Sequence, residues 1–315
     1  MFGLVVSLII LSCGTTIGES QMNQLYHPFR SQEAQEQFLS YYDTRAELWP
    51  VESETMMVPT AFGETFVRVC GPQDAPPMVL LPGDTESSLS WIPQIEDFSN
   101  HYRVFAVDNI YNNGRSVYSR PIQKPQDYID WLDELYTQLG LENNINLVGF
   151  SYGGWVSGIY AVAKPERLEK LILISSPVVS PKIGYLIRAI TTHLIPTPSL
   201  IKSQIYWERK CLLDKGEREQ LILEDLIKDA TLYAKLFKSR KFVNPTYFTD
   251  QEWKELEMPV LFMVGEEEVV YSADKAVERI NLLNPSIETI VIPDACHDIT
   301  HSQTEIVNQK ILDFL

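Results

Sequence analysis

Three stretches of the 315-residue chain carry side chains able to do covalent chemistry. The first is Gly149-Phe150-Ser151-Tyr152-Gly153, a serine with small residues two before and two after it. A serine hydroxyl is almost wholly protonated at neutral pH, so it attacks a carbonyl only when a base takes its proton. The second is Pro293-Asp294-Ala295-Cys296-His297-Asp298. The His297 imidazole titrates near neutral pH and can take that proton. The third is Gly265-Glu266-Glu267-Glu268, where a carboxylate is available to hold an imidazole in one tautomer and stabilise its charge. Together they offer acyl transfer through a covalent serine intermediate.

The elements that must position these groups are legible in the hydropathy pattern. Residues 145–148 form a short apolar run before the serine, and Gly154-Trp155-Val156 opens a helical stretch after it. Between a strand and a helix the turn is sharp, and Ser151 is expected in strained backbone with its oxygen held out above a sheet. The flanking glycines let strand and helix pass closely. The first helical turn presents free N–H groups and a partial positive charge that favour an oxyanion.

Residues 78–81, 103–107, 169–174, 260–264 and 287–292 are further apolar runs, as expected of strands covered on both faces. Helical periodicity falls between them at 127–139, 154–163 and 272–283, and a last helix runs from about 303 to 315. This alternation predicts an α/β fold with a mostly parallel sheet flanked by helices. Ligands then bind beyond the carboxyl ends of the strands, just after Leu81, Val148, Val264 and Ile292.

Before the alternation, residues 56–60 and 64–70 read as antiparallel strands around an Ala-Phe-Gly turn. Ser31 precedes a helix over 33–42, with Ala34, Phe38 and Tyr41 or Tyr42 on one face. From 178 to about 250 the alternation stops and the pattern is helical, clearest at 183–194 and 217–237, which marks an insertion.

The composition, 45% hydrophobic and 22% charged, is that of an ordinary globular protein. A formal net charge of −16 argues against nucleic acid as a partner, and against anionic membrane as a partner of the whole surface. The N-terminus differs. Residues 4–11 are strongly apolar and lead into Ser12-Cys13-Gly14. The run is too short to span a bilayer. It is similar to a secretory leader or to a lipobox with Cys13 as the lipidated residue, although no Lys or Arg precedes it. The expectation is an exported or membrane-anchored protein, attached only through its N-terminus; the alternative is a cytoplasmic enzyme with a misassigned start. The chain thus divides into a leader at 1–18, an extension at 19–54 and a catalytic domain at 55–315. Its four cysteines make no disulfide framework. Cys70, Cys211 and Cys296 are expected as small buried residues, and no metal-ligand spacing joins them to the histidines.

The Gly-Phe-Ser-Tyr-Gly turn, the Gly-Glu-Glu-Glu loop and Ala-Cys-His, in that order, resemble the α/β-hydrolase family over about residues 55–315. The resemblance implies a catalytic triad of Ser151, Glu268 and His297. The family's Gly-x-x-Asp loop puts the acid at Glu268, with Glu266 and Glu267 as rivals. It puts the base at His297, while His301 begins or caps the last helix. It implies an oxyanion hole from the backbone N–H of Tyr152 and of Asp84, with Thr85 as the rival of Asp84. A carboxylate beside an oxyanion is unfavourable unless its side chain points away, caps a turn or meets a substrate cation. The loop 108–116 is similar to a family loop that buttresses the site and receives no catalytic role. The 178–250 insertion matches the family's helical cap, where Tyr185, Leu186, Tyr206 and Trp207 are candidates to line an acyl pocket. The activity implied is that of a serine carboxylesterase on a small-molecule ester, with no cofactor and no metal. A carbon–carbon bond hydrolase, a cofactor-free haloperoxidase or a proline-iminopeptidase-like enzyme would use the same triad. A catalytically silent ligand-binding relative is the alternative of another class.

Overall fold

The structure is a computed structural model and describes residues 28–315 apart from 196 and 214. The apolar stretch at 4–11 and Cys13 lie outside the described residues. The described chain opens with α1 (Gln32–Ala46), capped by the Ser31 hydroxyl, which accepts from the Ala34 N–H. A hairpin follows, β1 (Glu54–Thr60) and β2 (Gly63–Cys70), then β3 (Pro77–Leu81), α2 (Ile92–Ser99), β4 (Arg103–Val107) and the two-residue β5 (Val117–Tyr118). Next come α3 (Pro125–Gln138), β6 (Ile145–Phe150), α4 (Tyr152–Ala163) and β7 (Leu168–Ile174). The insertion supplies α5 (Ile183–Leu194), α6 (Pro198–Glu208) and α7 (Glu217–Leu236). The alternation then resumes with α8 (Asp250–Glu255), β8 (Val260–Gly265), α9 (Ala273–Leu283), β9 (Glu288–Ile292), α10 (Ile299–Ser302) and α11 (Thr304–Phe314).

The strands form one nine-stranded sheet in the order β1-β2-β4-β3-β6-β7-β8-β9, with β5 paired to β2. The pairs β1–β2, β2–β4 and β2–β5 are antiparallel, and every pairing from β4 through β9 is parallel. The alternation of side chains along each strand serves two cores. Val79, Leu81, Phe105 and Val107 pack on one face against Trp131 and Leu135 of α3 and Trp155 of α4. Met78, Leu80, Val104 and Ala106 pack on the other against Phe38 of α1, Phe98 of α2 and Ile311 of α11. All eight strand residues are buried, which is why these runs read as unbroken apolar segments rather than alternating ones.

Helix α6 falls inside the span expected to be helical but between its two clearest stretches. Its start is set by Thr197, whose hydroxyl accepts from the Leu200 N–H, and by Pro198 at the first helical position, where a missing N–H costs nothing. A strand of two residues such as β5 is too short to show periodicity.

The cysteines depart from expectation. Cys211, in a single 3-10 turn after α6, forms a disulfide with Cys296, immediately before His297. The two are 85 residues apart, and each backbone N–H also donates to the partner sulfur. Among the described residues Cys70 alone is free, and it is buried. Spacing alone could not pair them, because the contact is made by the inserted helices folding back over the strand ends. A cross-link closing a loop of this length is expected to contribute about 2–4 kcal/mol. Urea unfolding with and without dithiothreitol should show a loss of that order; coincident transitions would argue against the bridge.

Candidate active site

Ser151 stands between β6 and α4 with φ 48° and ψ −118°, a strained conformation for a residue with a Cβ. Its N–H donates to the Ile174 carbonyl at 2.8 Å, which ties the turn to β7. The glycines are required by close approach. A Cβ at Gly153 would overlap the carbonyl oxygens of Leu81 and Pro82, and one at Gly149 would overlap the Ser157 hydroxyl. Tyr152 occupies the first helical position, where the N–H has no intrahelical acceptor.

His297 sits in the loop after β9 and is 6% exposed. Its Nε2 lies 2.8 Å from Ser151 Oγ, and its Nδ1 lies 2.9 Å from Glu268 Oε2. Glu268, beyond the end of β8, is 3% exposed; its other oxygen accepts from the Val270 N–H at 2.8 Å. The Lys182 ammonium donates to the Glu268 carbonyl at 2.7 Å, so the start of the insertion is fastened to the acid loop. Burial disfavours a charged His297, but the charge and hydrogen bond of Glu268 outweigh it and raise the imidazole above its ordinary value. The rival acids are elsewhere. Glu267 is half exposed and pairs with Lys210, and Glu266 is exposed and accepts from the Asp294 N–H. The geometry therefore brings Ser151, His297 and Glu268 into one chain of contacts and leaves Glu266 and Glu267 outside it.

His301 lies within α10 and is bound to Asp298 at 2.8 Å. Asp298 also accepts from Arg209 Nε at 3.1 Å, and Arg209 reaches Glu86 at 4.0 Å. His301 and Arg209 outweigh burial and hold the Asp298 carboxyl far below its usual range. Burial and the Asp298 charge push Glu86 up to about 7. This largely buried network lines one side of the cavity and escapes local pattern reading, since its members come from three separate stretches of chain.

The loop after β3 distinguishes the two candidate oxyanion donors. The Thr85 N–H donates to Asn112 Oδ1 at 2.8 Å, and the Gly83 N–H donates to Glu86 at 3.1 Å. Among the described residues the Asp84 N–H makes no hydrogen bond. The Asp84 side chain neither caps a turn nor stands free for a substrate cation, as the sequence had suggested it could. It is paired with Arg240, which reaches in from the segment after α7 and also donates to Asn112 and Asn113 at 3.0 Å each. The loop 108–116 holds the assembly from below. The Asn112 amide donates to the Gly83 carbonyl at 2.7 Å, and buried Asp108 accepts from the N–H groups of Ser88 and Arg115, each at 2.7 Å. Arg240 and Asn112 are site residues that the sequence did not single out.

A cavity of about 470 Å³ opens onto Ser151, His297 and Asp84. Tyr185, Ile201, Ile205 and Leu226 of the inserted helices contribute apolar wall. Of the four insertion residues expected there, Tyr185 lines the cavity, while Leu186, Tyr206 and Trp207 do not. Trp207 instead stacks on Tyr185, with ring centres 6.2 Å apart, and so fills the insertion's own packing. Among the described residues no three His, Cys, Asp or Glu side chains gather as a metal cluster.

The geometry agrees with what the chain is similar to. Residues 76–190 match the family model described as the alpha/beta hydrolase fold. Carboxylesterase YbfK of Bacillus subtilis (strain 168) is 33% identical over 289 residues, covering 91% of this chain and 96% of that protein. The crystal structure of carboxylesterase CesB (YbfK) from Bacillus subtilis superposes with a TM-score of 0.79 at 32% identity, covering 90% of this chain and 98% of that one. That of naproxen esterase (carboxylesterase NP) from the same species gives 0.81 at 26% identity, over 90% and 99%. With relatedness running along nearly the whole of both chains, the protein is a hydrolase that belongs to the α/β-hydrolase fold family, in the branch of carboxylesterase YbfK.

Proposed function

We propose that this protein is a carboxylesterase that works through an acyl-enzyme on Ser151. The observation that carries the reading is the contact chain from Ser151 Oγ through His297 to Glu268, at 2.8 and 2.9 Å, opening on a partly apolar cavity. His297 Nε2 takes the serine proton as Oγ attacks the ester carbonyl. The N–H groups of Tyr152 and Asp84 receive the developing oxyanion, and Glu268 stabilises the imidazolium. The tetrahedral intermediate collapses, His297 delivers the proton to the leaving alcohol, and the acyl group stays on Ser151. Water then attacks with His297 again as base, and the carboxylic acid leaves. The relatedness to carboxylesterases supports the ester as the bond that is cut.

The test is hydrolysis of p-nitrophenyl esters of increasing acyl length, with a fluorophosphonate as label. Turnover and labelling confined to Ser151 are expected. A protein inert to every ester and to the label would sink the proposal.

A second expectation concerns Asp84 and Arg240. Removing the guanidinium leaves a carboxylate unpaired beside the oxyanion, so Arg240→Ala should lower kcat roughly 10- to 100-fold. Removing both charges, as Asp84→Ala with Arg240→Ala, should recover part of that loss. Additive losses would mean that Arg240 only supports the loop.

A further inference from the structure

Helix α5 lies with its apolar face outward. Tyr185, Ala189 and Thr192, three and four residues apart, line the cavity. The opposite face carries Ile183 at 76% exposure, Ile187 at 62%, Ile190 at 58% and Leu194 at 72%. Leu186 and Ile195 are also exposed beside them. An amphipathic helix in water buries its apolar stripe, so a contiguous aliphatic stripe on the outside marks a surface that meets something apolar.

The charge pattern says what that partner is. From Lys170 to Trp207 the chain contains no Asp or Glu, whereas the whole chain has 42 acidic against 26 basic residues. Lys182, Arg188 and Lys202 fall in this acid-free span. Arg188 donates to Ser203 and lies over the Trp207 ring, Lys202 lies over the Tyr206 ring, and Lys182 donates to a backbone carbonyl. Among the described residues no carboxylate pairs with any of the three. An aliphatic stripe flanked by uncompensated cations is the pattern of a helix lying in the plane of a lipid–water interface. A second copy of the chain fits less well. The cations flanking the stripe would face their own copies across a two-fold contact, and one helix stripe falls short of the roughly 20–30 residues a side of a stable interface.

We propose that α5 docks the protein on an anionic lipid surface, inserting Ile183, Ile187, Ile190 and Leu194 below the headgroups. The helix that lines the cavity on one face would thereby meet the lipid with the other. The docking is separate from the esterase reading and can fail without it.

The test uses the full chain and co-sedimentation with two kinds of vesicle, phosphatidylcholine alone and phosphatidylcholine mixed with phosphatidylglycerol. Wild type should bind the mixed vesicles more tightly, and added salt should weaken the binding. Ile187→Asp with Ile190→Asp should lower the affinity for mixed vesicles roughly 100-fold. Neither side chain lines the cavity, so melting temperature and hydrolysis of a soluble short ester should stay at wild-type values. Lys202→Glu should weaken binding to mixed vesicles without affecting phosphatidylcholine. Equal binding by wild type and the double aspartate variant would overturn the proposal, because the attachment would then lie elsewhere in the chain. Equal binding of wild type to both vesicle types would also overturn it, as would a dimer in solution that the double aspartate variant dissolves.

Discussion

Ser151→Ala should lower kcat for ester hydrolysis by about a millionfold, with KM little changed. In the proposed mechanism the methyl side chain cannot form the acyl-enzyme, and His297 has no serine proton to take. Members of such a set act as a unit, so loss of the nucleophile alone costs about as much as loss of all three. What remains is the roughly 10³- to 10⁴-fold that the N–H groups and substrate binding supply over water. The substitution should not unfold the protein. Alanine removes an oxygen, and the turn is held by backbone contacts, including the Ser151 N–H to Ile174. The check is steady-state turnover of a p-nitrophenyl ester with the released acid quantified, alongside thermal melting. A variant that kept more than a tenth of the activity would mean that another group attacks.

Glu268→Gln should cost about 10⁴-fold in kcat. The shape is kept, but an amide can donate to Nδ1 and so favour the tautomer with the proton on Nε2, which cannot accept from Ser151. The charge that stabilises the imidazolium is lost as well. Glu266→Gln and Glu267→Gln should stay within about twofold of wild type, since both side chains face solvent and neither meets His297. The pH profile separates a role in charge from a role in shape. His297 must be neutral to act as base, and Glu268 raises its pKa above the ordinary 6.5. Activity should therefore fall as pH drops, along an acid limb that lies above 6.5 in wild type. In Glu268→Gln the raising charge is gone and burial remains, so the limb should move to lower pH. An acid limb that stayed in place would show that some other carboxylate sets it.

The helix Ile183–Leu194 shows both the reach and the limit of pattern reading. Its period of hydrophobic residues marks a helix with the bounds the structure has. The usual rule then assigns the apolar face to the interior, and here that face is exposed. The period records that a face exists; what lies against it depends on how the inserted helices sit over the sheet.

The same division runs through the site. The order of strands and helices, the position of Ser151 and the placing of a carboxylate and an imidazole at strand ends were legible in the chain itself. Each of those features is local, set by side-chain period or by the need for glycine where backbone passes backbone. The sequence left three adjacent glutamates open, and only the fold buries Glu268 against His297 while leaving Glu266 and Glu267 in water. It left Asp84 and Thr85 open, and only the packing of loop 108–116 occupies the Thr85 N–H. It offered no sign that Cys211 meets Cys296, 85 residues on, or that Arg240 reaches back 156 residues to Asp84. Such pairings depend on the order of strands in the sheet and on where the insertion returns to it. Both are decided by which faces bury together, and no short window of sequence contains that information.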